Sequence, residues 1–163
     1  MAQIKRKRER KRKARKEKKR RTRKEPQEGD GELTIVKIKK DGNCLFRALA
    51  EQIWGNQDLH AACRHRVVEY MVRNPHEFGG FYTEKEAGSF ESYCNKMSRD
   101  GEWGGHLELH AAAKVFQVNI HIRRSGDSGQ RRGLGPSAIY NFNGAKALHL
   151  SYCWGNHYDS VHL

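Results

Sequence analysis

The stretch IKRKRERKRKARKEKKRRTRK, residues 4–24, has almost nothing to bury, and so decides which part of this 163-residue chain can fold. Residues 1–24 hold 16 of the chain's 32 lysines and arginines against two acids, Glu9 and Glu17. Like charges at that density repel, and no apolar contact offsets the entropy of ordering them. A disordered tail or a solitary solvated helix is therefore expected. PQEGDGE, residues 26–32, carries turn formers and reads as a linker. The rest of the chain holds 16 basic and 17 acidic side chains, so the net charge of +13 belongs to the tail and not to the domain expected from 33 to 163. The tail reads either as a solubilising extension, or as a nuclear or nucleolar address or a contact to the phosphate backbone of RNA or ribosomes. It has no aromatic residue on which a base could stack.

The domain opens with LTIVKI, 33–38, whose β-branched residues suggest a strand running up to an Asp-Gly-Asn turn. From Cys44, Leu45, Ala48, Leu49 and Ile53 keep helical spacing, and Gly55 ends the run. A second helix is expected from near Asp58, with Leu59, Ala62, Cys63, Val67, Tyr70 and Met71 along one side, stopped by Asn74-Pro75. Phe90, Tyr93, Cys94 and Met97 suggest a third helix capped by Ser89. Leu107, Ala111 and Val115 suggest a fourth after Trp103-Gly104-Gly105. The period then changes to two in VNIHI (118–122). A Gly-rich loop, SGDSGQRRGLGPS, follows, and then the strands AIYNF (138–142), ALHLSY (147–152) and HYDSV (157–161). Helices followed by strands give an α+β domain with one mixed or antiparallel sheet.

No stretch approaches the ~20 apolar residues of a membrane span. A charged start, where a leader would be apolar, argues for the cytoplasm or nucleus over secretion. In such a reducing compartment Cys44, Cys63, Cys94 and Cys153 are expected as free thiols. None are spaced C-x-x-C, as a zinc knuckle would need. His106 and His110 share a helix face, but Glu108 stands one position late for a metalloprotease helix, so no metal or other cofactor is expected. His60, His65 and His76 lie on or near a helix without an acidic partner, and His121 and His149 read as structural residues inside strands.

Cys44 sits behind a turn and at the start of a helix, where unpaired N–H groups and partial positive charge lower a thiol's pKa. It is either a core residue or a nucleophile. A nucleophile needs a base and a group to orient that base. His157 and Asp159 fall on one face of a strand, roughly 7 Å apart at strand rise, so the carboxylate can hold one ring nitrogen and leave the other to a thiol. Gly42 permits a positive φ, and the backbone N–H groups of Gly42, Asn43 and Cys44 can then converge as an oxyanion hole.

Three segments in order resemble those of the ovarian-tumour (OTU) deubiquitinases. Asp41-Gly42-Asn43-Cys44-Leu45-Phe46-Arg47-Ala48 is similar to that family's catalytic-cysteine motif. WGGHLELHA, 103–111, is similar to its W-G-G-x-x-E-L-x-A segment, and Asn156-His157-Tyr158-Asp159-Ser160-Val161 to its catalytic-histidine motif. The resemblance covers residues from about 33 to 163. It implies a papain-like cysteine protease, acting as a monomer, that cuts the bond after the C-terminal Gly-Gly of ubiquitin or polyubiquitin chains. It also implies Cys44 as nucleophile, His157 as general base and then acid, Asp159 as the orienter of His157, and Asp41 as an active-site residue shaping the turn. Trp103 and Glu108 are expected to support packing. Ubiquitin contacts are expected from a helical arm and a variable loop, roughly 75–100 and 123–137. The competing readings are an inactive ubiquitin-binding relative and an RNA- or ribosome-associated protein working through its tail.

Overall fold

The computed structural model describes residues 34–79, 88–124, 136–142, 146–153 and 155–163. The basic tail, the linker, Leu33, Trp154, part of the expected arm (80–87) and most of the Gly-rich loop (125–135) lie outside the described residues.

Among the described residues four α-helices precede most of a five-stranded sheet. Strand β1 (Thr34–Val36) leads to α1 (Cys44–Trp54), α2 (His60–Arg73), α3 (Phe90–Met97) and α4 (His106–Phe116). Strands β2 (Asn119–Arg124), β3 (Pro136–Tyr140), β4 (Ala147–Cys153) and β5 (His157–His162) follow. The helix boundaries have local causes. Gly55 closes α1 in the left-handed region at φ 70°, its N–H bonded to the Glu51 carbonyl at 2.7 Å. Asn74-Pro75 stops α2, and the Ser89 hydroxyl caps α3 by accepting the Ser92 N–H at 3.1 Å. At α4 the Glu108 carboxylate reaches back to the Gly105 N–H at 2.6 Å, so the helix start is held by its own first turn.

The sheet order is β1-β5-β4-β2-β3. All neighbours are antiparallel except β2 and β4, which makes the sheet mixed. The period of two resolves as Ile120, Ile122, Leu148 and Leu150, all buried on one face. The helices cover that core with Leu45, Phe46, Leu49, Val67, Met71 and Leu109. Side chains of this size contribute about 1.5–3 kcal/mol each when fully buried. One expected contact face is displaced: α2 buries Cys63, Arg64, Val67, Val68 and Met71, while Leu59 and Ala62 are exposed. The short helical turn at Gln57–Leu59 ends before α2 begins, which takes Leu59 off the helix face.

Register sets the chemistry. Ser151 and Cys153 on β4 lie opposite Asp159 and His157 on β5, and Val36 on β1 lies opposite Ser160. The chain leaving β1 therefore passes Asp159 before turning into α1.

Candidate active site

The turn before α1 is built around Asp41. Its carboxylate accepts the Asn43 N–H at 2.9 Å and pairs with the Arg47 guanidinium, Nη2 to Oδ2 at 2.9 Å. Burial pushes the Asp41 pKa up, but the bonds from Arg47 and Asn43 outweigh it and hold the group below the usual carboxylate range. Arg47, one turn along α1 and itself buried, also reaches the Gln57 carbonyl and Asp58. Gly42 does not take a positive φ. Its hydrogen is needed for a different reason, because a Cβ there would stand 1.7 Å from the Gly101 carbonyl oxygen. Gly101 is the residue with positive φ, at 82°.

Of the three amides expected to converge, the Asn43 N–H is held by the Asp41 carboxylate. The Cys44 N–H makes a long turn bond of 3.2 Å to the Asp41 carbonyl. The Gly42 N–H has no hydrogen-bond partner among the described residues.

Cys44 is 2% exposed at the first position of α1. Contrary to the expectation for a helix start, burial raises its thiol pKa, and the nearby charge of Asp41 adds to the rise. The backbone N–H groups of Tyr158, Leu45 and Cys44 itself oppose this by donating toward the sulfur. Cys63, buried without such amides, is pushed up to about 12. The Cys44 sulfur also lies 3.9 Å from the Asn156 carbonyl. Asn156 and Tyr158 flank His157 in the chain, so the backbone on either side of that histidine lies against the thiol.

His157 is 4% exposed, and its Nε2 stands 3.1 Å from Asp159 Oδ1. Asp159, and not Asp41, is thus the acid that meets the imidazole. Asp159 also accepts the Ile38 N–H at 3.0 Å on Oδ1 and the Lys37 ammonium at 2.8 Å on Oδ2. Burial raises the Asp159 pKa, but the Ile38 amide, Lys37 and His157 bring it below the ordinary value. An ionised carboxylate that accepts three donors is fixed in place, and so is the ring it holds.

A cleft of about 180 Å³ is lined by Lys40, Asp41, Trp103, Asn156 and His157. A second, of about 400 Å³, runs from Trp103 and Asn156 along Gly104, Gly105, Tyr152 and Tyr158. Trp103 stands between them and is 53% exposed, so it walls the groove instead of packing beneath it. Glu108 does pack: it is fully buried and accepts the Tyr93 hydroxyl at 2.7 Å. His106 bonds the Tyr140 hydroxyl, and the His110 ring stands perpendicular to Phe78 with centroids 5.7 Å apart. Among the described residues no cluster of three or more metal-ligating side chains occurs.

Sequence reasoning missed Lys37, Arg47 and Arg64. The last had a readable signal, since residues 64, 67, 68 and 71 form one helical stripe and an arginine in an apolar stripe must be bonded inside the fold.

A model of the family described as OTU-like cysteine protease matches residues 39–162. An Arabidopsis thaliana protein, ovarian tumor domain-containing deubiquitinating enzyme 7, is 40% identical over 132 residues, covering 79% of this chain and 32% of its own length. Human OTU domain-containing protein 5 is 30% identical over 135 residues, covering 78% of this chain and 22% of its own length. The chain thus spans a third or less of these curated relatives. Among solved structures, the OTU domain of OTUD1 superposes with a TM-score of 0.68 at 27% identity, over 80% of this chain and 86% of that one. An OTU domain solved in complex with ubiquitin shares the fold at a TM-score of 0.60 and 22% identity, over 82% of this chain and 73% of that one.

Proposed function

Because the chain belongs to the family of OTU-like cysteine proteases, we propose that it is a deubiquitinase in which Cys44 attacks the carbonyl after the C-terminal Gly-Gly of ubiquitin. Residues 33–163 are the protease domain in this reading, and 1–32 a basic tail and linker. The observation that carries it is the seating of the Cys44 sulfur between the Asn156 carbonyl and the Tyr158 N–H, on either side of a histidine held by Asp159.

His157 takes the thiol proton through Nδ1, the ring nitrogen that Asp159 does not hold. Since burial keeps the free thiol protonated, the thiolate forms as an ion pair with the imidazolium. It attacks the carbonyl, and the oxyanion turns toward the Gly42 and Cys44 amides. The imidazolium then protonates the leaving amine, a lysine Nζ in an isopeptide bond, and a thioester remains. Water, deprotonated by His157, releases the ubiquitin carboxylate and restores the thiol. The larger cleft, lined by Gly104 and Gly105, takes the tail ending in Gly-Gly in this reading, with Trp103 between it and the side where the amine departs. Ubiquitin whose C-terminus carries an electrophile should add covalently to the wild-type chain and not to Cys44→Ala. Wild-type protein that cuts no diubiquitin and takes no label would overturn the proposal.

The tail supports a second, compatible activity. Its 16 basic residues against two acids fit binding to a polyanion such as RNA or ribosomal surface, and a nuclear as well as cytoplasmic location. Among the described residues no helix is long and apolar enough to cross a membrane.

A further inference from the structure

We propose that Arg64 is a positioning residue for the nucleophile: its guanidinium locks the turn that carries Cys44 to the loop that carries Trp103. The inference rests on the reading of Cys44 as the nucleophile. Arg64 projects from α2 and is 3% exposed. Nη2 donates to the Asn43 Oδ1 at 2.7 Å, to the Glu102 carbonyl at 2.9 Å and to the Gly42 carbonyl at 3.4 Å. Nη1 donates to the Met97 carbonyl at 2.9 Å, and the guanidinium lies 4.1 Å over the Phe46 ring.

Two of these partners, Gly42 and Asn43, are the residues immediately before Cys44. Asn43 is the N-cap of α1, yet its side chain caps no helical N–H. It accepts instead from Arg64 and, at 2.9 Å, from the Gly101 N–H. The other partners, Met97 and Glu102, bracket the turn that ends one residue before Trp103. Both walls of the cleft therefore hang on one side chain. The two segments meet backbone to backbone, with no room even for a methyl group on Gly42 against Gly101.

A buried cation is expensive unless its surroundings replace water. No carboxylate bonds Arg64 among the described residues, and the substitutes are carbonyl oxygens. Met97 is the last residue of α3, where helix carbonyls are unpaired and carry partial negative charge. This arrangement uses the planar fork, which reaches several acceptors in fixed directions. A lysine would keep the charge as a single point and lose the span.

A purely structural role would lower stability and nothing else. A positioning role makes two further predictions. The Leu45 and Cys44 amides that aim at the sulfur would lose their alignment, so the pH midpoint of iodoacetamide reaction at Cys44 should rise. Misplacing the nucleophile by about 1 Å should also cost roughly 100-fold in kcat, with KM little changed. The experiment compares Arg64→Lys with Val67→Ala, a core change on the same helix. It measures thermal midpoint, the pH profile of Cys44 alkylation, and diubiquitin kinetics per site titrated by electrophilic ubiquitin.

Arg64→Lys should shift the pH midpoint and lower kcat, whereas Val67→Ala should lose only thermal stability. A folded Arg64→Lys protein with the wild-type midpoint and kcat per site overturns the proposal. Should Arg64→Lys fail to fold, Asn43→Ala, which removes the central acceptor, is judged by the same two readouts. Alkylation needs no ubiquitin, so a wild-type chain that cut no diubiquitin would sink the deubiquitinase reading while the midpoint still judged Arg64.

Discussion

Asp159 divides its two oxygens among three donors: Ile38 and His157 share Oδ1, and Lys37 takes Oδ2. Replacing it with Asn leaves the shape but removes the charge that stabilises an imidazolium. If Cys44 is the nucleophile, burial of its thiol makes thiolate formation depend on that imidazolium. Asp159→Asn should therefore lower kcat by about 10³–10⁴, near the loss in serine protease triads, with KM little changed. Asp41→Asn should instead slow acylation by loosening Arg47 and the turn, and removal of its charge should lower the pH midpoint of Cys44 alkylation. Single-turnover and alkylation measurements on both variants check this. Lys37 has a separate signature. The folded pKa of Asp159 is depressed below 3.8, so its contribution to stability is present above 3.8 and lost as pH falls through the folded value. Lys37→Met removes one of the groups that lower this pKa. Its acid-unfolding midpoint should rise, while Lys37→Arg should retain the wild-type value. The contact of His157 with Asp159 was legible because it is written in a spacing of two along one strand. Lys37 was not, because its exposed side chain meets an acid 122 residues later and nothing local marks the pair.

At the scale of elements, caps and periods were readable because each is set within a turn or two of chain. Ser89, Gly55 and the Asn74-Pro75 stop all act at the boundaries their chemistry indicates. The parallel pairing of β2 with β4 was not readable, since alternation fixes which face is buried and not which strand lies alongside. Gly42 was identified for its freedom and is needed for its size. Its neighbour, Gly101, lies in a loop whose approach follows from the packing of α2 and α3. Gly42→Ala should displace the turn and reduce kcat at least 100-fold, by the same positional argument. Diubiquitin kinetics and circular dichroism together would separate that loss from unfolding. Across β2 and β4, His121 faces His149 with ring centroids 4.9 Å apart. Burial, then the charges of His121 and Arg123, push His149 down to about 4 from 6.5. Between those values the unfolded chain takes up a proton that the strand refuses, so this stability is complete above 6.5 and lost as pH falls through about 4. His149→Gln should flatten the thermal midpoint across that window, well above the region where Asp159 titrates.

For the whole molecule the segregation of charge was plain in the sequence, and it makes a prediction independent of the site. Deleting residues 1–24 should leave diubiquitin cleavage nearly unchanged and abolish binding to RNA. Binding by the full chain should weaken steeply with salt as counterions are released. Titrations at several ionic strengths, beside steady-state kinetics, check both halves; a truncated protein that cleaves poorly would show that the tail takes part in substrate binding. The topology has a consequence in time. The thiol lies at the start of α1, whereas its base and acid lie on β5, the last of the five strands to be synthesised, which must then pair with β1, the first. While the chain is being made, Cys44 is an ordinary thiol with no proton acceptor. Closing so long a loop, from Val36 to Ser160, is slow compared with forming the helices between. If Cys44 is the nucleophile, hydrolytic power should therefore arrive only when the last strand joins the first, and a nascent or half-melted chain should be silent toward ubiquitin.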